Sequence, residues 1–281
     1  MNCWMYPGQP LKFQTNPPED LDFNEISKLC LKLAEFDLHN CSPLTSGMST
    51  NVCMQIYGVA MSLYNTRKLI RSGNKPDIIT QHSMGIYPAL AASGVILEEE
   101  ALEIAFRVGK CMESMNKENQ YLLGCVIGLT ADKLLPMLPA TGAYIANFNT
   151  SKHFLLAGLK TDILKLLNKL SVAGAFSISH FNCDAPLHTP LMAQISNELN
   201  AIFNDYCYSA PTIPLVSHKG KYLSTAEDIR IFLHDELLCP VYWEKTVTFI
   251  KSSGFNKFIE VGSGTALKKF NRWIASEQEY P

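Results

Sequence analysis

An α/β fold with a parallel-sheet core and an inserted ferredoxin-like (βαββαβ) unit is what this sequence predicts, and three features predict it. Strand-like and helix-like segments alternate through both ends of the chain, the pattern of a parallel sheet covered on both faces. A short apolar run, Asp77-Ile78-Ile79-Thr80, passes through Gln81-His82-Ser83-Met84-Gly85 into a small-residue segment from Ile86 to Gly94. Between about Leu122 and Asp184 the alternation gives way to the order β-α-β-β-α-β.

Apolar periodicity predicts a helix from Leu21 to Phe36 and a second from Asn51 to Ile70, the latter behind a Ser49-Thr50 cap. Leu97 to Met115 is a third, opening on Glu98-Glu99-Glu100, where the helix dipole favours acid. In the interrupting segment Leu123 to Leu129 reads as a strand and Ala131 to Leu138 as a short helix stopped by Pro139. Ala143 to Asn147 and Phe154 to Ala157 read as a strand pair joined through Asn149-Thr150-Ser151-Lys152. The Leu164-Leu166-Leu167-Leu170 spacing marks a helix, and Phe176 to Phe181 alternates as a last strand. Helices from Pro190 to Phe203, Ala226 to Leu238 and Tyr242 to Ser252 then alternate with strands Ile213 to Ser217 and Lys257 to Val261. The expected division is a large part of residues 1–121 and 188–281 around a small part of residues 122–187.

A serine placed where a strand turns sharply into a helix is the layout of a nucleophile elbow. The turn lifts the hydroxyl out of the sheet and aims backbone N–H groups at an oxyanion. The usual pattern is G-x-S-x-G, and here Gln81 stands in place of the first glycine.

The 281 residues are 47% hydrophobic and 18% charged, ordinary for a globular enzyme able to bury a large core. With 24 basic against 26 acidic residues the net charge is -2, so no broad basic field exists for nucleic acid. Nine cysteines lie scattered without C-x-x-C spacing, which fits reduced thiols in a cytoplasm and no metal site. The opening Met1-Asn2-Cys3-Trp4-Met5-Tyr6-Pro7 has neither a basic region nor a long apolar one, and no uncharged apolar stretch reaches the ~18 residues that span a membrane. The expectation is a cytoplasmic protein without membrane attachment.

A serine nucleophile needs a base, and seven histidines compete: His39, His82, His153, His180, His188, His218 and His234. His82 adjoins Ser83, but neighbouring side chains point apart, so it reads as a structural histidine beside the turn. His188 lies in the proline-bracketed loop Asp184-Ala185-Pro186-Leu187-His188-Thr189-Pro190, where α/β folds present catalytic groups. A histidine satisfied by backbone at a helix start is the equal alternative there.

Further ordered blocks join the elbow and the His188 loop: Tyr6-Pro7-Gly8-Gln9, Gly109-Lys110-Cys111-Met112, Asn147-Phe148-Asn149-Thr150, Pro240-Val241-Tyr242-Trp243 and Ile259-Glu260-Val261-Gly262-Ser263-Gly264. In this order they resemble the F-P-G-Q, G-K-F-M, N-F-N-S, P-V-x-W and Y-E-V-G-P-G blocks of the malonyl-CoA:acyl carrier protein transacylase family. Pro186-Leu187-His188-Thr189-Pro190-Leu191-Met192 likewise resembles its P-S-H-C-A-L-M block, and the likeness spans almost the whole chain. It implies a hydrolase-like core with a ferredoxin-like subdomain, with Ser83 attacking an acyl thioester and His188 as general base, then acid. It further implies an oxyanion hole from the backbone N–H groups of Gln9 and Met84. A main-chain carbonyl around Tyr242 would orient His188, and Asn149 would be a polar pocket residue, a turn role being as good a reading. No cofactor is implied; the phosphopantetheine thioester of CoA or of an acyl carrier protein is the substrate.

The chain departs from that family at three polar determinants. The arginine that grips the malonyl carboxylate in two-pronged fashion is Val108, preceding Gly109-Lys110-Cys111-Met112. Arg107 lies one residue earlier, about 100° around the helix, and should point away. Leu187 and Ile86 stand where serine or phenylalanine, and glutamate, are usual. With Met112 these residues suggest an apolar pocket for an acyl group without a free carboxylate, since an unpaired buried carboxylate is costly. The resemblance leaves acyl transfer or thioester hydrolysis in polyketide or fatty-acid biosynthesis, as in acyl hydrolases that lack the arginine. A conventional malonyl transacylase and a non-catalytic carrier-protein binding module are the alternatives. Lys110, Lys117, Lys152 and Lys160 are candidates for a basic patch toward an acidic carrier protein, a plain solvated lysine face being the other reading.

Overall fold

The computed structural model describes residues 1–44, 47–116, 118, 120–139 and 141–279. The chain begins with β1 (Asn2–Tyr6), α1 (Leu21–Ala34), a small hairpin of β2 (Phe36–Asp37) and β3 (Ser42–Pro43), and α2 (Thr50–Arg71). Strand β4 (Ile78–Gln81) leads through a 3-10 turn, Ser83–Gly85, into α3 (Ile86–Ala92) and α4 (Glu98–Glu113). Next come β5 (Tyr121–Ile127), α5 (Ala131–Leu134), β6 (Ala143–Thr150), β7 (His153–Leu159), α6 (Lys160–Val172) and β8 (Ser177–Asn182). The chain closes with α7 (Ser196–Asn204), β9 (Leu215–Val216), β10 (Tyr222–Leu223), α8 (Ala226–Glu236), β11 (Val241–Tyr242), α9 (Trp243–Ser252), β12 (Lys257–Glu260) and α10 (Ala266–Glu279). No described helix is long and apolar enough to cross a membrane.

The large sheet has the order β10-β9-β4-β1-β12. All its pairings are parallel except β10 with β9 at the edge. Period-two alternation sends successive side chains to two cores. Trp4, Tyr6, Ile79 and Leu215 enter a core with helices α1 to α4, α7 and α8. Cys3, Met5, Ile78 and Val216 face the other way, onto Trp243, Val247, Leu267 and Ile274 of α9 and α10. This two-sided burial explains why the strands read as continuous apolar runs.

The second sheet runs β11-β6-β7-β5-β8. Its four central and edge members β6, β7, β5 and β8 pair antiparallel, the strand order of a ferredoxin-like unit. Leu122, Val126, Ile145, Phe154, Leu156, Ile163 and Leu166 fill a separate core under α5 and α6. The strand pair is longer than its apolar residues suggest. Asn149 and Thr150 belong to β6, and only Ser151-Lys152 turns the chain. Tyr242 begins no helix; Val241–Tyr242 joins the small sheet parallel to β6 and ties the two parts together. Pro190–Ile195 is 3-10 before α7 takes over, so the helix expected from Pro190 is broken in two.

Candidate active site

Ser83 sits directly beyond β4, half-buried, with φ 54°. A left-handed backbone at a non-glycine residue is strained and persists only where its surroundings fix it. Two neighbours do so here. Gly85 lies so close to the end of β1 that a Cβ would stand 2.2 Å from the Tyr6 carbonyl oxygen and 2.8 Å from that of Pro7. Gly8 packs on the elbow from the same loop, its would-be Cβ 3.1 Å from His82 Nδ1 and 3.3 Å from Ser83 Cβ. Gln81 needs no positive φ, because it is a regular strand residue paired with Tyr6. The glycine of the usual pattern is therefore dispensable at this position.

Ser83 Oγ lies 2.7 Å from His188 Nε2. His188 is itself left-handed, φ 59°, and buried. Its Nδ1–H donates to a main-chain carbonyl at 2.9 Å, and that carbonyl belongs to Glu236 at the end of α8. The expected acceptor around Tyr242 is thus corrected: the Tyr242 carbonyl takes the Thr246 hydroxyl instead, and its N–H donates to the His218 carbonyl. The reason is topological, since β11 leaves toward the small sheet while the end of α8 stays beneath the serine. Burial pulls the His188 pKa down to about 4, against the pull of the Glu236 carbonyl, and the charges of His82 and Lys219 lower it further. At neutral pH the ring is an unprotonated acceptor with its lone pair on Nε2.

The Gln9 loop is pinned to the same place. Gln9 Nε2 donates to Asn51 Oδ1 at 3.1 Å, and Asn51 Nδ2 donates to Asp184 Oδ1 at 3.1 Å. The Ser49 hydroxyl, which caps α2, donates to the other Asp184 oxygen. One polar chain therefore links the loop after β1, the start of α2 and the loop that carries His188.

Asn149 is buried and hydrogen-bonded to His82 Nε2 at 3.0 Å. The turn reading is set aside, because a strand places it under the elbow. Burial lowers the His82 pKa, with the Asn149 bond opposing. Asn149→Ala is expected to destabilise the fold by about 1–3 kcal/mol by leaving a buried ring nitrogen unpaired; a urea titration against wild type checks this.

Ile86 and Val108 are core residues at 0% and 1% exposure, in one apolar cluster with Met84 and the buried Met112. Both are closed core where α3 and α4 pack against each other, and not the open lining expected of them. Leu187 is only partly buried against this cluster. Arg107 is held elsewhere, on Asp205 at 2.5 Å and the Tyr206 hydroxyl at 3.1 Å. Lys110 pairs with Glu113 on its own helix, whereas Lys152 and Lys160 are exposed on the small part. Lys117 lies outside the described residues.

Two residues that no motif singled out, one of them among the seven competing histidines, complete the site. His218 follows β9, which the sheet order places beside β4, and its Nδ1 accepts the Ser83 N–H at 3.4 Å. Its ring stands edge-on to His188, centroids 5.5 Å apart. Glu236 has no exposed surface, and one of its carboxyl oxygens lies within 4.8 Å of a ring nitrogen of each histidine. Both His188 nitrogens are engaged, so the trio does not offer three free donors to a metal.

Comparison with known proteins bears on the family and the fold. The family model described as the acyl transferase domain matches residues 39–269. A malonyl CoA-acyl carrier protein transacylase of Salmonella typhimurium is 30% identical over 209 residues, 73% of this chain and 68% of that protein. A polyketide-biosynthesis malonyl CoA-acyl carrier protein transacylase of Bacillus velezensis is 25% identical over 258 residues, 90% of this chain and 85% of its own length. Among solved structures, a malonyl-transacylase in complex with its type II polyketide acyl-carrier protein superposes with a TM-score of 0.89 at 23% identity. That superposition covers 98% of this chain and 93% of the other.

Proposed function

The chain belongs to the acyl transferase domain family, and from that premise we propose an acyl-enzyme cycle on Ser83. The protein is an acyltransferase. Its donor in our reading is an acyl thioester on CoA or on the phosphopantetheine arm of an acyl carrier protein, and the acyl group carries no free carboxylate. Ser83 Oγ attacks the thioester carbonyl while His188 Nε2 takes its proton. The oxyanion is met by the N–H groups of Gln9 and Met84, and the leaving thiolate collects the proton from His188. A second thiol, or water, then attacks the ester with His188 again as base.

The single observation that carries this reading is the 2.7 Å contact between Ser83 and a neutral, buried His188, with both residues held left-handed. The substrate class rests on residue type: Val108 stands at the position of the family's arginine, and the neighbouring Arg107 is committed to Asp205, so neither position offers a guanidinium to a carboxylate. Burying an unpaired carboxylate costs several kcal/mol, whereas an alkyl group gains from apolar walls. An acyl carrier protein is the proposed partner and polyketide or fatty-acid biosynthesis the proposed setting, on the strength of what the relatives are named for. Nine free cysteines fit a reducing cytoplasm.

The test offers malonyl, acetyl and longer acyl thioesters on CoA and on carrier protein. It reads acyl-enzyme by intact mass and both products by chromatography. Neutral acyl groups should load at least about tenfold faster than malonyl, the equivalent of ~1.4 kcal/mol of discrimination. Malonyl loading as fast or faster sinks the substrate assignment. Free acid exceeding transferred acyl identifies water as the acceptor, the hydrolase form of the cycle.

A further inference from the structure

Glu236 acts on the site through its main chain, and its side chain turns into the same buried space. Of its carboxyl oxygens, Oε1 accepts from the Tyr87 hydroxyl at 3.3 Å, and Oε2 meets no partner among the described residues. His218 shows the complementary vacancy. Because its Nδ1 accepts the Ser83 N–H, its ring proton is on Nε2, which is also unpartnered and buried. A carboxyl oxygen and a nitrogen from each of the two rings lie within 4.8 Å of one another. Isolated buried acids are expensive, and one set this close to a base that must become cationic has an electrostatic consequence.

Resting on the Ser83–His188 reading above, we propose that the Glu236 carboxylate is the positioning residue that stabilises the His188 imidazolium. When the Ser83 O–H bond breaks and the His188 Nε2–H bond forms, the ring gains one positive charge. The ionised Glu236 side chain supplies the matching negative charge, and no atom of it is transferred. Protonated, the side chain supplies none.

The groups facing this carboxyl are Tyr87 from α3, His188 from the loop before the 3-10 segment, and His218 and Lys219 from the loop after β9. His82 adds its influence on both histidines. Burial pushes the Glu236 pKa up to about 8, against the Tyr87 hydrogen bond and the Lys219 charge. Burial lowers all three histidines and raises Tyr87 well above its ordinary value. The sign is then fixed. Below about pH 8 Glu236 is neutral and His188 lacks its counter-charge, so Ser83 reacts slowly; above it the anion is present and the rate rises.

The experiment measures labelling of Ser83 by a fluorophosphonate between about pH 6 and pH 9.5, by intact mass, under conditions of excess reagent. Wild type should rise by about tenfold or more with a midpoint near 8. Glu236→Gln keeps the main-chain carbonyl and can still accept from Tyr87, so its profile should lie flat at the low-pH rate. Tyr87→Phe keeps the carboxyl but removes a bond that favours its anion, so its midpoint should move upward. A Glu236→Gln enzyme with the wild-type midpoint, or an unmoved midpoint in Tyr87→Phe, overturns the inference. Should Glu236→Gln fail to fold, Tyr87→Phe decides alone. No labelling of wild type at any pH defeats the Ser83 reading itself, a separate outcome.

Discussion

Replacing His188 with alanine is expected to slow acylation of Ser83 by about 10²–10⁴-fold, the usual worth of a positioned general base. The geometry is specific about why. The ring receives the serine proton at Nε2 and is locked by Nδ1–H on the Glu236 carbonyl, so it has one tautomer and one orientation. Alanine at φ 59° adds backbone strain that is unrelated to chemistry. His188→Asn controls for it, because asparagine tolerates the left-handed region and still provides no base at that distance. Both variants should form acyl-enzyme slowly while Ser83→Ala forms none. The double variant Ser83→Ala/His188→Ala should be no worse than Ser83→Ala, since residues acting as one unit are not additive. An acylation rate in His188→Asn within about threefold of wild type would remove His188 from the mechanism.

Gly85→Ala is expected to lose about 3 kcal/mol or more of stability and to accumulate poorly. The added methyl would stand 2.2 Å from the Tyr6 oxygen and 2.7 Å from its carbonyl carbon. Neither atom can yield cheaply, because Tyr6 is the last residue of β1, an interior strand of the sheet, and is paired with Gln81 of β4. The penalty is steric and not conformational: Gly85 has φ -58°, which alanine adopts freely. Gly264→Ala provides the contrast, since a Cβ there meets nothing within 4 Å and its φ lies outside the positive range. Chemical denaturation should separate the two variants widely. Similar midpoints would mean that β1 and the elbow are not held together as described.

Much of the elbow was legible because its requirements are local. A strand, a tight turn and a small-residue helix must be contiguous, so Ser83 stands out of the sequence without knowledge of anything distant. His188 was legible as a candidate, since a proline-bracketed loop before a helix is also a local pattern. The ferredoxin-like unit could be read as well, because each of its elements carries its own apolar period and its core is built within residues 122–178. Asn149 and the ends of β6 and β7 were read less well. Their polar residues look like a turn, yet strand pairing and burial beneath His82 override that preference.

The carbonyl that orients His188 could not be located by spacing. Glu236 and Tyr242 are six residues apart, and which of them faces the histidine depends on where α8 ends and where β11 departs. His218 is more remote still. It comes to the serine only because β9 lies beside β4, a sheet neighbour reached after 135 residues of chain. The sequence by itself determined which side chains could do acyl chemistry and that the arginine position holds Val108, since these are facts of residue type and local spacing. The tertiary structure alone decided that a buried carboxyl and a second histidine lie beneath the Ser83–His188 pair, and that Ile86 and Val108 are closed core. Charge stabilisation and burial act through space, and the order of strands in a sheet sets those distances without leaving a periodic trace in the chain.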